Sequence, residues 1–279
     1  RRAGGVELVG GVSKNKIMGN WKFAAEQLAS DSYHAQVSHL SSFAVVTSQE
    51  LLSRRAVGSD SSVFKTGRQF TSSFGHGVGF QSENGMGWAA TGADPMLDVY
   101  EASINAERVE RLGADRARIS ALHNNVFPTF SWLGPSRTIR VWHPKGVNEV
   151  EMWLFSFVDK DAPEEVKQEV RLNGQAMSGP AGLVEQDDGE NWCLIGSNLS
   201  SRGPQIHKVP LNYQMGLGEG GSDPRFPGKV APHLFSEMAA RSFYRRWREL
   251  MTITDKWPMP TEVNENRPAT FANSASVAT

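Results

Sequence analysis

The chain has 279 residues, 39% of them hydrophobic and 21% charged, with a formal net charge of −1. That composition suits one large globular domain and leaves no basic surplus for a nucleic-acid partner. No apolar run approaches the ~18 residues of a membrane span, no charged-then-apolar signal opens the chain, and the single cysteine, Cys193, excludes an internal disulfide, a cysteine-rich zinc site or an iron–sulfur cluster within it.

A lone thiol fits a reducing cytoplasm, and any metal must be held by histidine and carboxylate. The opening Arg-Arg-Ala-Gly-Gly, without Met, reads as a fragment of something longer.

Residues 5–12 (G-V-E-L-V-G-G-V) predict a short strand with glycines at its ends. Asn20 is placed to cap a helix from Trp21 to about Asp31. Residues 41–52 have mixed apolar character. The Gly- and Ser-rich stretch 67–87, with S-F-G-H-G-V-G-F at 73–80, predicts short strands and turns. Residues 103–121 read as a helix with a solvated charged face, interrupted only at Gly113.

Three aromatic and β-branched segments follow, at 127–133, 138–143 and 149–158. Their partial alternation is that of an antiparallel sheet with one buried face. D-A-P-E-E-V-K-Q-E-V then starts a helix, with Asp161 as N-cap and Pro163 in the first turn. A last amphipathic helix at 236–251 carries Met238, Phe243, Trp247 and Met251 on one broad apolar stripe. Residues 1–257 are read as one domain and 258–279, rich in Asn, Ser, Ala and Thr, as a disordered tail. Strands and helices in separate runs, without βαβ alternation, give an α+β class.

The chemistry concentrates in D-S-Y-H-A-Q-V-S-H at 31–39. Asp31 and His34 share a helix face. His39 lies roughly 140° round an ideal helix from His34, so for both imidazoles to meet one ion the helix must end, bend or widen near Ala35–Ser38. A third ligand must come from elsewhere, and E-Q-D-D-G-E-N-W at 185–192 offers four carboxylates in six residues. Alone, that segment reads as a charged turn between strands. Were it extended, Asp187 and Asp188 would face opposite sides. Two histidines and one carboxylate with open positions is the facial arrangement of non-haem Fe(II) oxygenases.

N-W-K-F-A-A-E-Q-L-A-S-D-S-Y-H-A-Q-V-S-H with E-Q-D-D-G-E-N-W resembles the catalytic domain of the Rieske non-haem iron aromatic ring-hydroxylating dioxygenases. The match is to the C-terminal part of their large (α) subunit, closest to the biphenyl, naphthalene and polycyclic-hydrocarbon branches. F-P-T-F-S-W-L, R-V-W-H-P-K-G-V-N-E-V-E-M-W, D-A-P-E-E-V-K and F-P-G-K-V extend it from about Gly10 to Thr252.

The resemblance implies a helix-grip (Bet v1/START-like) antiparallel sheet flanked by helices. It implies His34, His39 and Asp188 as ligands of a mononuclear Fe(II), and Asp31 as the carboxylate that links an iron histidine to the Rieske centre of a neighbouring subunit. It implies a substrate pocket of Gln27, Leu28, Ala35, His123, Leu133, Met177, Ser178, Val184 and Trp192. Small side chains at Ala35, Ser178 and Val184, and no Lys or Arg among these positions, favour a neutral substrate of two or more rings over a single ring or an aromatic acid. Gln27 replaces the Asn of the naphthalene branch and is similar to the biphenyl/toluene side.

The family's [2Fe–2S] Rieske cluster needs two Cys and two His that are absent here, so the resemblance places it in a preceding domain outside this chain. It also implies NADH through a reductase and ferredoxin, a β subunit and further α subunits (α3β3 or α3), O2 and an aromatic substrate. The expected product is a cis-dihydrodiol. The rival readings are a Rieske-type monooxygenase, an aromatic-acid dioxygenase, a zinc hydrolase on the same ligands with Asp31 as base, and a non-catalytic carrier of apolar ligands.

Overall fold

The computed structural model describes residues 2–42, 67–81, 95–206, 208 and 212–252. Most of the mixed stretch 41–52, the end of the Gly/Ser-rich stretch at 82–87, the boundary at 257 and the tail at 258–279 lie outside the described residues.

Among the described residues nine strands form one sheet: β1 (Val6–Ile17), β2 (Gly67–Thr71), β3 (Gly77–Gln81), β4 (Ser120–Val126), β5 (Phe130–Leu133), β6 (Thr138–Gly146), β7 (Glu149–Asp159), β8 (Gly221–Ser222) and β9 (Lys229–Ala231). Their order is β1-β7-β6-β5-β4-β3-β2-β9-β8, and neighbouring pairs run antiparallel. The helices among the described residues are α1 (Trp21–Ser30), α2 (Ala35–Ser38), α3 (Pro95–Ser103), α4 (Asn105–Leu112), α5 (Ala114–Ala117), α6 (Glu164–Ser178), α7 (Glu185–Ile206) and α8 (Met238–Thr252). An antiparallel sheet flanked by helices is the architecture expected.

Alternation explains which face is covered. β7 buries Val150, Met152, Leu154 and Val158, and its partner β6 buries Thr138, Arg140 and Trp142 on the same side. Onto that face α1 lays its Ala24, Ala25 and Leu28, with Ile17, Trp192 and Phe243 completing the core. Asn20 caps α1 as expected: its side-chain oxygen accepts from the Lys22 N–H at 3.1 Å. Three alanines (24, 25 and 29) let the helix lie close to the strands.

Several expected boundaries differ. β1 runs on to Ile17 because β7 pairs with it throughout, around a register shift where Gly10 and Gly11 take φ of 76° and 80°. The helix expected over 103–121 is two short ones, α4 and α5, after the end of α3 at Ser103: Gly113, at φ 77°, separates them, and from Ser120 the chain pairs with β3 instead. The strand expected over 127–133 begins only at Phe130, after a cis Phe127–Pro128 bond. Asp161 does not cap α6, whose N-cap is Pro163 with Glu164 and Glu165 in the first turn.

In α8 the apolar stripe holds for Met238 and Phe243, both at 0% exposure, and fades beyond them. Trp247 is half-buried beneath the Lys22 ammonium, and Met251 is exposed. Arg246, paired with Glu249, takes the buried face there. The segment 185–192 is not a turn between strands but the first two turns of α7, and this correction decides how its carboxylates are used.

Candidate metal centre

The helix break required by the His34–His39 spacing is present. α1 stops at Ser30, Asp31 caps it with its N–H on the Gln27 carbonyl, and α2 is a single turn between His34 and His39. His39 lies beyond that turn at φ −101°, ψ 10°, which swings its ring back over His34; the centroids are 4.9 Å apart and the planes nearly perpendicular.

Each imidazole is fixed through its Nδ1. That of His34 donates to the Asp31 backbone carbonyl at 2.6 Å, while Asp31 Oδ1 accepts the His34 backbone N–H at 2.9 Å. The Asp31 carboxylate thus locks the turn, and its carbonyl, more than its side chain at 3.3 Å, orients the ring. His39 Nδ1 donates to Asp187 Oδ2 at 3.1 Å, an oxygen that also accepts from Ser42 Oγ. With Nδ1 committed on both rings, Nε2 of each is the atom left to take a metal.

The two Nε2 atoms are 3.1 Å apart, and Asp188 Oδ1 is 3.4 Å from that of His34 and 3.3 Å from that of His39. Asp188 Oδ1 is buried and makes no hydrogen bond among the described residues. Bonds of ~2.1 Å at angles between octahedral and tetrahedral place ligand atoms roughly 3.0–3.4 Å from one another. These three donors fit a first-row metal ion on distance as well as on type, and they are the set among the described residues that could hold one.

Electrostatics points the same way. Burial pulls His34 down, but Asp188 and Asp31 outweigh it and hold the imidazole up at about 10. His39 is likewise raised against burial, by Asp188 and Asp187. Burial would raise Asp188, yet the two histidines depress it well below the usual carboxylate range. The site calls for positive charge, which a divalent cation supplies by displacing protons from Nε2.

On a helix, neighbouring residues are about 100° apart, so Asp187 and Asp188 need not face opposite sides. Asp188, its side chain 12% exposed, faces both Nε2 atoms; Asp187, 34% exposed, reaches round to the outer nitrogen of His39. α7 is tied to the histidine segment at two further points. Asn191 Nδ2 donates to Ser38 Oγ at 3.0 Å, and Trp192 Nε1 donates to Gln27 Oε1 at 2.8 Å. That second bond fixes the Gln27 amide, turning its nitrogen toward His34 Nε2 at 3.3 Å.

The other expected pocket residues fall as follows. Leu28 is buried on α1, Ala35 is half-buried beside His34 on α2, and Val184 is buried just before α7. His123 and Leu133 are cross-strand partners on β4 and β5. His123 Nδ1 donates to the Leu28 carbonyl at 2.9 Å, and its Nε2 meets Ser32 Oγ. Burial lowers it to about 4, so the ring is neutral at pH 7. Gly79 permits this, since a Cβ there would fall 2.2 Å from His123 Nε2.

Met177 and Ser178 end α6. Ser178 is fully buried, and its hydroxyl accepts from Arg140 Nη2 at 3.0 Å and donates to Ser136 Oγ. The sequence gives no role to Ser32 or Arg140, and it offers Glu185 only as one of the four carboxylates of 185–192. A positive residue at alternate spacing in an otherwise apolar strand, T-I-R-V-W, was the available signal for Arg140.

The family model "Ring hydroxylating alpha subunit (catalytic domain)" matches residues 8–253. The benzene 1,2-dioxygenase α subunit of Pseudomonas putida is 39% identical over 91% of the chain and 56% of its own length. The biphenyl dioxygenase α subunit of Metapseudomonas furukawaii is 41% identical over 90% of the chain and 55% of its own length. Among solved structures, a naphthalene 1,2-dioxygenase variant bound to phenanthrene superposes with a TM-score of 0.76 at 31% identity, covering 88% of this chain and 55% of that one. The chain spans about half the length of the curated relatives it matches. It belongs to the ring-hydroxylating dioxygenase α-subunit family, of which it carries the catalytic domain.

Proposed function

We propose that this chain is the oxygenating half of a ring-hydroxylating dioxygenase α subunit, inserting both atoms of O2 into a neutral aromatic hydrocarbon to give a cis-dihydrodiol. The overall balance is one arene, one O2, two electrons and two protons per diol. The observation that carries this reading is the convergence of His34 Nε2, His39 Nε2 and Asp188 Oδ1, each within 3.4 Å of the others. A bound Fe(II) would supply the redox chemistry that reduces dioxygen. The chain's own residues do the rest: Asp31 and Asp187 orient the imidazoles, Trp192 aims the Gln27 amide beside the three ligand atoms, and α1 with α7 encloses the substrate.

Leu28, Ala35, Leu133, Met177, Val184 and Trp192 supply apolar lining, with Gln27, His123 and Ser178 as its polar members. His123 is neutral, and the nearby Arg140 charge is answered by Glu185. This lining suits an uncharged bicyclic or larger ring system better than an aromatic acid. The relatives named for benzene and biphenyl, and the naphthalene dioxygenase variant that binds phenanthrene, support an arene substrate.

Electrons are proposed to come from NADH through a reductase, a ferredoxin and a Rieske [2Fe–2S] centre in another domain, entering at Asp31. The relatives are named as α subunits, which supports assembly with a second kind of subunit; the proposed assembly is α3β3, with α3 as its alternative. Among the described residues no helix is long and apolar enough to cross a membrane.

The test is product analysis with the full-length α subunit, its β subunit and electron-transfer partners under isotopically labelled dioxygen. A cis-dihydrodiol of naphthalene or biphenyl with both oxygens labelled is expected. A phenol with one labelled oxygen would make the enzyme a monooxygenase, and hydrolysis supported by zinc would overturn the oxygenase reading altogether.

A further inference from the structure

Beside the metal centre lies a deeply buried cation whose hydrogen bonds go to residues other than its three ligands. Arg140 projects from β6 onto the core face of the sheet, between Thr138 and Trp142, and is 2% exposed. Its guanidinium donates to Glu185 twice, Nη2 to Oε2 at 2.5 Å and Nε to Oε1 at 3.3 Å. Nη1 donates to Thr138 Oγ1 at 2.9 Å and Nη2 to Ser178 Oγ at 3.0 Å. Ser136 closes the ring, linked to both Ser178 and Thr138. Thr138, Ser178 and Ser136 are all at 3% exposure or less.

The position of this cluster is what gives it a role. Ser178 is the last residue of α6 and Glu185 the first of α7. One guanidinium in the sheet therefore grips both helix ends across the turn 179–184. Glu185 and Asp188 are three apart on α7, on neighbouring positions of one helical face. Glu185 faces the sheet, and Asp188 faces the histidines. Glu185 therefore lies within one helical turn of Asp188. A buried carboxylate here with no counter-ion would have two options, to take up a proton or to compete for the metal.

We propose that Arg140 and Glu185 are positioning residues for the metal centre. Arg140 clamps the start of α7 so that Asp188 meets both Nε2 atoms, and it holds the Glu185 carboxylate out of the coordination sphere. A buried ion pair with only an architectural role can often be replaced by apolar residues of similar volume without loss of stability. The polar atoms of Ser178 and Thr138 fit the fork of Arg140 as Lys could not. The inference rests on the metal reading above and deepens it.

The experiment uses the full-length α subunit with its β subunit, the mononuclear iron removed and the site titrated with cobalt(II). Binding affinity and the high-spin cobalt EPR signal are recorded, with circular dichroism and thermal melting as folding controls. Arg140→Met with Glu185→Leu removes both charges together. The double variant is expected to fold like the parent yet bind cobalt(II) about tenfold more weakly or worse, as loss of outer ligand support typically does, and with an altered EPR signal. Parental affinity and signal in the folded double variant would overturn the proposal.

Should the double variant not fold, Arg140→Lys carries the test, since it keeps a charge but not the fork. Weaker binding with an altered signal supports the clamp, and an unchanged site overturns it. A parent that fails to bind cobalt(II) at all would overturn the metal reading itself, and this inference with it.

Discussion

The two halves of the candidate metal centre are built by different means. The histidine half is local: His34 and His39 are set by the break after α1, the single turn of α2 and the two hydrogen bonds between Asp31 and His34. The carboxylate half is tertiary. Asp188 is placed by contacts that reach across the chain, from Glu185 to Arg140, Asp187 to His39, Asn191 to Ser38 and Trp192 to Gln27. A local half can be read from spacing; a tertiary half depends on the packing of one helix against a sheet and against α1. Substitutions in the first should therefore act on ring orientation and electron entry, and in the second on where the carboxylate sits.

The largest effect is expected in the local half. Asp31→Asn keeps an oxygen to accept the His34 backbone N–H but loses the charge, so iron should stay bound. Turnover coupled to the redox partners should fall about a hundredfold, the upper end of what loss of an outer carboxylate costs. Iron content measured beside coupled activity checks this; an iron-replete variant with parental turnover would remove Asp31 from electron entry.

Asp187→Asn tests the tertiary half more gently. His39 Nδ1 would keep an acceptor but not a charged one, and iron affinity is expected to fall about tenfold. Competition with a chelator reads this directly. Unchanged affinity would mean that the contact from Asp187 to His39 does not tune the site.

Substrate size sharpens the same comparison, because Val184 stands just ahead of α7. Val184→Phe should fill space beside the metal, where overpacking is costly. The kcat/KM ratio of phenanthrene to toluene should then drop by about tenfold in the reconstituted enzyme. A ratio that does not move would place Val184 off the cavity. Ser178→Phe is a poorer test than the sequence alone suggests, since it would also break the hold of Arg140 on α6.

The smallest effect concerns pH. Burial lowers His123 to about 4 from an ordinary 6.5. Between those values the unfolded chain takes up a proton that the folded one refuses. The stability held in the neutral ring is therefore complete above 6.5, is lost as pH falls toward 4, and is level below that. Melting temperature should drop over this window, and less steeply in His123→Gln, which cannot take up the proton. Equal slopes in the two proteins would contradict a depressed His123.

Much of the fold was legible because α1, β6, β7 and α8 carry their own patterns: a capped amphipathic run or clean alternation. The splitting of 103–121 was not legible. Its charged residues favour helix throughout, and only pairing with β3 turns Ser120 and Ala121 into strand. The metal centre divides in the same way. H-x4-H with Asp31 required an interrupted helix, and the chain has one, but residues 31–34 leave the helix while Ala35–Ser38, where the distortion was expected, form a helical turn with His39 just beyond it. D-D at 187–188 was ambiguous because the segment reads as a turn in isolation. Its helical state comes from burying Glu185 and Trp192 against the sheet and α1, as do the separate uses of its two carboxylates. Arg140 was not legible because a lone arginine in a strand usually faces solvent, and its partner lies 45 residues away.

The central claim is that Asp188, not its neighbour, completes the site with the two histidines. Metal analysis of the full-length protein carrying Asp188→Ala, Asp187→Ala or His34→Ala tests this most directly. The account predicts about one mononuclear iron per chain in the parent, near-complete loss in Asp188→Ala and His34→Ala, and substantial retention in Asp187→Ala. Full iron in Asp188→Ala beside an empty Asp187→Ala would contradict it.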